Sequence, residues 1–259
     1  MPDTKVPYPQ GKPCWLDYFV EDQGAAIAFY RELFGWSGEP NEEFGGYAVM
    51  RVGEYAVAGI SPRMPDMPPS PPAWNMYFAV SDIAAVADQI EKLGGTKFVG
   101  PDEVPGTGKL VFGADPAGAT FGLWQAGPFP GFEAAGEHGR QCWFELETTE
   151  GKPSAEFYAA LLGVEVQAIP EMQDTYWTLN LDGEPTSGVW HNPGGQAPAG
   201  GPHWVPYFEV ADVDASVATA VAAGASVTHP AADSPYGRLA KLRDPLGAEF
   251  SVITPQQPA

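Results

Sequence analysis

The chain has 259 residues, of which 44% are hydrophobic, 12% aromatic and 18% charged, a composition typical of globular proteins and not of disordered or fibrous ones. Its 13 Lys and Arg residues against 33 Asp and Glu residues give a formal net charge of −20, which repels nucleic acids and anionic lipid surfaces and argues against both as partners. The length is enough for two domains of roughly 100 to 150 residues each.

We expect neither a secretory signal nor a membrane span. No segment reaches the roughly 18 apolar residues of a membrane span, and the first residues lack the apolar core of a secretory signal. We therefore expect a cytoplasmic protein. Cys14 and Cys142 are too few for a disulfide framework, and we expect both to be buried free thiols.

The predicted elements follow one another in a regular order. The first group is a strand over 14–20, a helix over 23–34, and a hairpin of strands 46–52 and 55–60. The second group is a strand over 74–80, a helix over 82–93 that ends at Gly94-Gly95, and strands over 109–113 and 120–125. Each group is therefore a strand, a helix and then two or three strands.

The whole pattern then recurs in the second half of the chain. Cys14-Trp15-Leu16-Asp17 is answered by Cys142-Trp143-Phe144-Glu145, with a numbering offset of 142 − 14 = 128. Three further pairs keep nearly the same offset: Phe29-Tyr30 with Phe157-Tyr158, Trp74–Asp82 with Trp204–Asp212, and Asp115–Ala119 with Asp244–Ala248. The repeat predicts two copies, 12–126 and 140–254, joined by a linker over 127–139.

Several phrases of each copy resemble a known superfamily. They are Val-x-Asp before the helix, Phe-Tyr followed by Leu-(Phe/Leu)-Gly within it, and Asp-Pro-x-Gly before the last strand. Their ordered combination resembles the vicinal oxygen chelate superfamily, which includes glyoxalase I, bleomycin-resistance proteins and extradiol dioxygenases. Gly11–Asp17, Asp22–Tyr30 and Leu33–Trp36 are similar to phrases of its actinobacterial group with two domains per chain, which includes a mycobacterial antigen and hydroxylase-labelled proteins.

The resemblance implies an α+β fold of two tandem domains, each made of two paired βαβββ units that curl their strands into a cup. Metal-using members place His or Glu at four positions of each cup. The matching positions here are Trp15, Gly59, Asn75 and Gly122 in the first copy, and Trp143, Gly188, Val205 and Ser251 in the second. None of these is a metal ligand, whereas a catalytic site needs about three. We therefore expect no metal and no cofactor. A rebuilt site that uses His203 with Glu145 or Glu147 is a less favoured alternative.

The resemblance also implies which side chains line the cups. Strand alternation places Trp15 with Asp17, Asn75 with Tyr77, Trp143 with Glu145 and Glu147, and His203 with Val205 and Tyr207. Glycines at 59, 122 and 188 and serine at 251 are expected to leave space beside Trp124 and Trp190. We therefore predict a ligand site formed by Trp15, Asn75, Tyr77, Trp124, Trp143, Glu147, Trp190, His203 and Tyr207. The alternative is that these aromatic side chains are packed core.

Two carboxylic acids occupy equivalent places, since Asp17 and Glu145 each follow a cup tryptophan by two residues. Partial burial raises a carboxyl pKa towards a range useful for acid or base catalysis, so both are candidate catalytic residues. The alternative is a structural carboxylate that is hydrogen-bonded to its neighbours.

Three functions remain open. The favoured one is metal-free binding of a small aromatic or hydrophobic organic molecule, as in sequestration of a metabolite or antibiotic. The second is a cofactor-independent enzyme of secondary metabolism, such as an isomerase, cyclase or hydroxylase-like enzyme, with Asp17 or Glu145 as acid or base. The third and least favoured is a metal-dependent glyoxalase or dioxygenase. Both cups can form within one chain, so we expect a monomer or a weak homodimer.

Overall fold

The computed structural model describes residues 8–63, 71–172, 174–192 and 200–256. The first copy contains β1 (Pro13–Val20), α1 (Gln23–Phe34), β2 (Ala48–Val52), β3 (Tyr55–Pro62), β4 (Trp74–Ala79), α2 (Ile83–Ile90), β5 (Thr96–Val104), β6 (Gly108–Ala114) and β7 (Thr120–Ala126). The second copy contains β8 (Gln141–Thr148), α3 (Gly151–Leu162), β9 (Glu165–Ala168), β10 (Tyr176–Leu181), β11 (Glu184–His191), β12 (His203–Glu209), α4 (Val213–Ala222), β13 (Ser226–Ser234), β14 (Gly237–Arg243) and β15 (Glu249–Pro255).

Each copy forms one curved sheet. The first has seven strands in the order β2-β3-β1-β4-β7-β6-β5, and the second has eight in the order β13-β14-β15-β12-β8-β11-β10-β9. The first strand of each βαβββ unit pairs in parallel with the last, as β1 does with β3 and β4 with β7. A helix provides the crossover that such a parallel pair requires. The predicted α+β fold of two tandem domains is confirmed.

The Val-x-Asp phrase has a local structural role at the start of three helices. The side chain of Asp22 accepts a hydrogen bond from the backbone N–H of Ala25 at 2.9 Å. Asp82 and Asp212 do the same at the starts of α2 and α4. Each caps an N–H group that has no partner inside its helix. The equivalent residue before α3 is Glu150, whose longer side chain makes no capping hydrogen bond.

Strand β5 differs from the sequence prediction, which contained no strand between 93 and 109. It is the outermost strand of its sheet, and none of its residues is fully buried. Its pairing with β6 is irregular between Val99 and Asp102, around Pro101. An exposed edge strand that contains proline lacks the alternating apolar signal on which the prediction depended.

Compact packing divides the chain into two units, each of which combines half of one copy with half of the other. Unit 1 comprises Met1–Trp15, Asn75–Gly131 and Phe144–Trp204. Tyr158 lies at its centre, with Trp204 at a ring-centroid distance of 5.2 Å and Phe121 at 5.4 Å. The indole N–H of Trp204 donates to the Tyr158 hydroxyl at 3.1 Å, which satisfies a polar group in an otherwise apolar core.

Unit 2 comprises Leu16–Trp74, Phe132–Trp143 and Val205–Ala259. Tyr30 occupies its centre and accepts the indole N–H of Trp74 at 3.1 Å. The Tyr30 hydroxyl donates to Asp244 at 3.0 Å, and the Tyr18 hydroxyl donates to the same carboxylate at 3.4 Å. The Phe-Tyr and Asp-Pro-x-Gly phrases therefore belong to the core, where the helix of one copy contacts the last turn of the other.

Both cysteines are free thiols. Burial raises the pKa of each thiol, that of Cys142 to about 12. Cys14 is fully buried whereas Cys142 is only partly buried, so the expectation of buried thiols holds fully for the first. Among the helices of the described residues, none is both long enough and apolar enough to cross a membrane.

Candidate functional site

The glycines expected to leave space are instead covered by tyrosine side chains. A Cβ atom at Gly59 would collide with the hydroxyl of Tyr47, and one at Gly188 would collide with the hydroxyl of Tyr176. A Cβ atom at Gly122 would collide with the ring of Tyr77. The expectation of empty space beside these glycines is therefore wrong, because the missing side chains make room for tyrosine rings.

An aromatic cluster lies in unit 1, at the first copy. The ring of Phe129, a residue of the predicted linker, is 4.9 Å from Trp15 and 6.2 Å from Trp124, edge-on to both. The indole N–H of Trp124 donates to the backbone carbonyl of Phe129 at 2.9 Å. Tyr77 and Phe112 form a second contact at 6.1 Å. Tyr77 and Phe112 both lie opposite Gly122, which precedes Trp124 by two residues on β7, so the two groups of rings share one face of the sheet. Three predicted ligand-binding residues thus lie on this face with Phe129 and Phe112; we name these five residues the aromatic cluster.

The two candidate catalytic carboxylates have matching surroundings. Asp17 is 3% exposed and pairs with Gly59 in the register of β1 and β3, while Glu145 is 8% exposed and pairs with Gly188 in the register of β8 and β11. Each partner glycine is the one that a tyrosine covers. Both copies therefore place a buried carboxylic acid beside a glycine that is covered by a tyrosine.

The other predicted site residues differ in exposure. Asn75 and Tyr207 are buried, while Trp143 and Trp190 are partly buried. Trp143 packs with Cys142 and Leu239 against a buried group formed by Val205, Tyr207 and Ile253. This contact supports the packed-core alternative for Trp143.

The two sheets differ at one set of equivalent positions on one face. In the first sheet Tyr77 pairs with Gly122, which pairs in turn with Phe112. The equivalent residues of the second sheet are Tyr207, Ser251 and Lys241, and they pair in the same way. Residues directly opposite in a sheet share a face, so Lys241 replaces an aromatic ring on this face. Its side chain is only 5% exposed.

Two positions further along the strands the second sheet carries an ion pair. Arg243 lies opposite Glu249, and its guanidinium donates to the Glu249 carboxylate at 2.6 Å. The first copy has Ala114 opposite Thr120 at the equivalent positions. The charged pair is thus a feature of the second copy.

Two residues of the alternative metal site, Glu147 and His203, lie close together in unit 1. One ligand atom of Glu147 lies within 4.8 Å of one ligand atom of His203. Glu147 is buried, and His203 is partly buried. Two such ligands are fewer than the roughly three that a catalytic metal site needs.

The hydrogen bond of His203 determines its tautomer. Nδ1 lies 2.8 Å from the backbone carbonyl oxygen of Gly201. A carbonyl oxygen can only accept, so Nδ1 carries a proton and donates it to Gly201. Metal-binding histidines commonly have this arrangement, in which a backbone carbonyl orients the ring through the other nitrogen.

The eight positions at which the resemblance places metal ligands hold Trp, Gly, Asn, Val and Ser, which do not fit a metal ion of the usual kind. Phe112 and Phe129, which contact predicted site residues, were not indicated by the sequence.

An open cavity of about 450 Å³ lies elsewhere, beside the start of α2. Its lining includes Asp82, Pro101, Glu103, Lys109 and Gln125. The lining contains none of the predicted site residues, so the cavity is a separate surface feature.

The tandem βαβββ units and the two curved sheets define a protein of the vicinal oxygen chelate class. Residues 14–123 match the model of the Glyoxalase/Bleomycin resistance protein/Dioxygenase superfamily, and residues 143–253 match that of a Glyoxalase-like domain. The chain belongs to this superfamily.

Two relatives match nearly the whole chain. CFP32 of Mycobacterium tuberculosis is 38% identical over 254 residues, with 96% of each chain covered. The anthracycline biosynthesis protein DnrV of Streptomyces peucetius is 34% identical over 259 residues, with 94% of this chain and 93% of DnrV covered. The second relative shows that the superfamily members similar to this chain include proteins of antibiotic biosynthesis.

Solved structures support the fold. The 2,3-dioxygenase LapB of Pseudomonas sp. KL28 aligns with a TM-score of 0.65 at 15% identity, over 96% of this chain and 93% of LapB. A Mn(II)-bound glyoxalase of Novosphingobium aromaticivorans aligns with a TM-score of 0.64 at 15% identity, over 94% of this chain and 82% of the glyoxalase. At such low identity the likeness concerns the fold alone.

Proposed function

We propose that the chain binds a small, flat aromatic organic molecule at the aromatic cluster of the first copy. The observation that carries the proposal is the cluster itself: Trp15, Tyr77, Phe112, Trp124 and Phe129, with ring-centroid distances of 4.9 to 6.2 Å in three contacts. Aromatic walls with a few polar groups favour planar ligands through stacking and burial of apolar area. Binding at this place requires no metal ion.

Phe129 is the part of the cluster best suited to move. It is partly buried, whereas Trp15 and Trp124 are 5% and 8% exposed. It lies outside the strands, between Pro128 and Pro130. Its ring meets both tryptophans edge-on, so a ligand that displaces it gains access to their indole surfaces.

The similarity to DnrV supports an aromatic ligand. DnrV is named for anthracycline biosynthesis, and anthracyclines contain fused aromatic rings. A fused-ring molecule offers the large flat area that stacking on indole requires. We therefore propose fused-ring aromatic metabolites as the ligand class.

Tryptophan fluorescence tests this proposal with a hydroxylated anthraquinone as the probe. We expect saturable quenching in the wild-type protein and at least about tenfold weaker binding in Trp124→Leu, which corresponds to a loss of about 1.4 kcal/mol. Phe129→Ala should alter affinity in either direction, because it removes both a cover and a contact. The matched control is Trp190→Leu in the second copy, which should bind the probe normally.

Two results would contradict the proposal. One is the absence of saturable binding across a panel of fused-ring aromatics. The other is a loss of binding in Trp190→Leu equal to that in Trp124→Leu, which would place the ligand elsewhere. Thermal unfolding of each variant without the probe distinguishes loss of binding from loss of folding.

A second candidate function is cofactor-independent proton transfer, favoured by the matching surroundings of Asp17 and Glu145. A buried carboxylic acid beside a tyrosine-covered glycine occurs in both copies. Once a converted ligand is known, Asp17→Asn and Glu145→Gln should lower kcat if these groups transfer a proton. Unchanged turnover in both variants would remove them as acid or base.

A further inference from the structure

We infer that the open cavity beside the start of α2 binds a small zwitterion with one ammonium and one carboxylate group, as in a free amino acid. The cavity belongs entirely to unit 1 and has a volume of about 450 Å³. Its lining includes Asp82, Ala84, Pro101, Glu103, Lys109 and Gln125. We name it the α2 cavity.

The size and the charges of the α2 cavity fit such a ligand. Small-molecule sites commonly have volumes of about 300 to 1,000 Å³, and the α2 cavity lies in the lower part of this range. Its lining carries one cation, Lys109, and two carboxylates, those of Asp82 and Glu103. A ligand with a single charge would meet a group of like charge, whereas a zwitterion can place each charge beside an opposite one.

Two lining residues can bind the carboxylate of the ligand. Lys109 and Gln125 lie directly opposite each other on β6 and β7, so their side chains share a face of the sheet. The side-chain oxygen of Gln125 accepts a hydrogen bond from the backbone N–H of Ile83 at 2.9 Å. Its NH₂ group is therefore the part that can donate to a carboxylate, beside the positive charge of Lys109.

Two other lining residues can bind the ammonium group of the ligand. Glu103 lies directly opposite Lys109, on the side away from Gln125. One oxygen of Asp82 accepts the backbone N–H of Ala85 at 3.1 Å. Because a carboxylate can accept several hydrogen bonds, Asp82 can bind an ammonium group and still cap α2.

The second copy closes the equivalent place with ion pairs. Arg238 is the equivalent of Lys109, and it donates to the two oxygens of Asp214 at 2.7 and 2.8 Å. It also donates to Asp233 at 3.0 Å, which lies opposite Arg238 as Glu103 lies opposite Lys109. The cation of the second copy therefore has two carboxylate partners within the chain.

The first copy lacks the acid that would close its cavity in the same way. The position equivalent to Asp214 holds Ala84, which lines the α2 cavity. Within the described part of the chain, no residue forms an ion pair with Lys109. A ligand carboxylate beside Lys109 would therefore take the place that the Asp214 carboxylate has in the second copy.

The α2 cavity and the aromatic cluster lie on opposite faces of one sheet. Gln125 lines the cavity, and its neighbour on β7, Trp124, belongs to the cluster. Successive residues of a strand point to opposite faces. The inferred site is therefore independent of the proposed aromatic ligand.

Titration calorimetry with neutral L-amino acids tests the inference, with L-leucine and two of its analogues as the matched probes. Isocaproate lacks the ammonium group of L-leucine, and isoamylamine lacks its carboxylate. We expect saturable binding of L-leucine and at least about tenfold weaker binding of each analogue. The reason is that each analogue leaves the lining charge of one sign without its partner.

Two substitutions of exposed residues locate the site. Ala84→Asp supplies the acid that the second copy has at this position, so it should compete for Lys109 and weaken L-leucine binding by at least about tenfold. Lys109→Met should reduce L-leucine binding to about the level of isoamylamine, because the ligand carboxylate then has no cation. The matched control is Arg238→Met, which removes the equivalent cation of the second copy and should leave the affinity unchanged.

The inference is overturned if no neutral L-amino acid binds saturably at millimolar concentration, or if either analogue binds as tightly as L-leucine. It is also overturned if Ala84→Asp and Lys109→Met both bind like the wild-type protein. Thermal unfolding of each variant distinguishes loss of binding from loss of folding. Anthraquinone binding should be unchanged in all three variants, which keeps this test separate from that of the proposed function.

Discussion

The two copies make equivalent core contacts, but their sheets differ in the side chains of one face. Tyr30 with Trp74 in unit 2 and Tyr158 with Trp204 in unit 1 make the same hydrogen bond at the same 3.1 Å. On the sheet face, by contrast, Phe112 of the first copy is replaced by Lys241 of the second.

This difference shows which positions a duplicated domain can change. A buried indole that is hydrogen-bonded to a buried hydroxyl must keep both its volume and its polar partner. Phe112 and Lys241 belong to neither of these indole–hydroxyl pairs, so the residue type can change at their position. Divergence after duplication has therefore given the first copy an aromatic cluster and the second copy a charged one.

The largest expected effect tests whether the cores are equivalent. Trp74→Ala and Trp204→Ala should each lower the free energy of unfolding by about 3 to 5 kcal/mol, because each removes a buried indole and leaves a cavity. Both side chains are 1% exposed. Urea unfolding followed by circular dichroism measures the two losses.

Equal losses within about 1 kcal/mol would support an equivalent core in both units. The milder variants Tyr30→Phe and Tyr158→Phe serve as controls, since each removes one hydroxyl and leaves the ring. A loss below about 1 kcal/mol for either tryptophan would contradict the packing described for its unit.

Much of the fold could be predicted from the sequence, because the signals that specify it are local or repeated. The N-capping aspartates, the Phe-Tyr pairs and the nearly constant offset between the copies indicated helices, copies and topology. The contacts of Phe129 with Trp15 and Trp124 could not be predicted, because Phe129 belongs to the predicted linker and Trp15 lies far from it in the chain. Only the folded chain brings the three rings together.

The prediction of empty space beside the glycines was wrong for a related reason. A glycine in a strand indicates close approach by another group, but the sequence does not identify that group. Tyr47, Tyr77 and Tyr176 cover the three glycines. Neither Tyr47 nor Tyr176 is among the predicted site residues.

A second, smaller effect should distinguish Gly122 from its equivalent, Ser251. Gly122→Ala should lower the free energy of unfolding by about 1 to 3 kcal/mol, because the new methyl group collides with the ring of Tyr77. Ser251→Ala should leave stability nearly unchanged or raise it slightly. Its buried hydroxyl oxygen has no hydrogen-bond partner among the described residues. Removing this hydroxyl therefore leaves no buried donor or acceptor newly unpaired.

Thermal and urea unfolding of both variants check this contrast. Equal losses would mean that the faces of the two sheets are packed alike at this position. A stable Gly122→Ala variant would show that Tyr77 can leave the glycine at little cost, which would restore the open space that the sequence suggested.

The smallest expected effect concerns the two buried aspartates at equivalent turns. Burial raises the pKa of Asp115 and of Asp244 above the usual range. A carboxyl group whose pKa is higher in the folded state stabilises the protein below its unfolded pKa of about 3.9, and this contribution is lost as pH rises through the folded pKa. The difference in unfolding free energy between wild type and Asp244→Asn, or Asp115→Asn, should therefore fall as pH rises from about 4.

Tyrosine variants sharpen this last comparison. The Tyr30 hydroxyl donates to Asp244 at 3.0 Å and lowers its pKa, so Tyr30→Phe should raise that pKa further and extend the loss of stability to higher pH. Tyr158→Phe likewise removes the hydroxyl that accepts a hydrogen bond from the indole of Trp204. No hydrogen bond from Tyr158 contributes to the pKa of Asp115, so this variant should leave the shape of the pH profile unchanged. Identical pH profiles for the two variants would show that the Tyr30–Asp244 hydrogen bond does not contribute to the ionisation of Asp244.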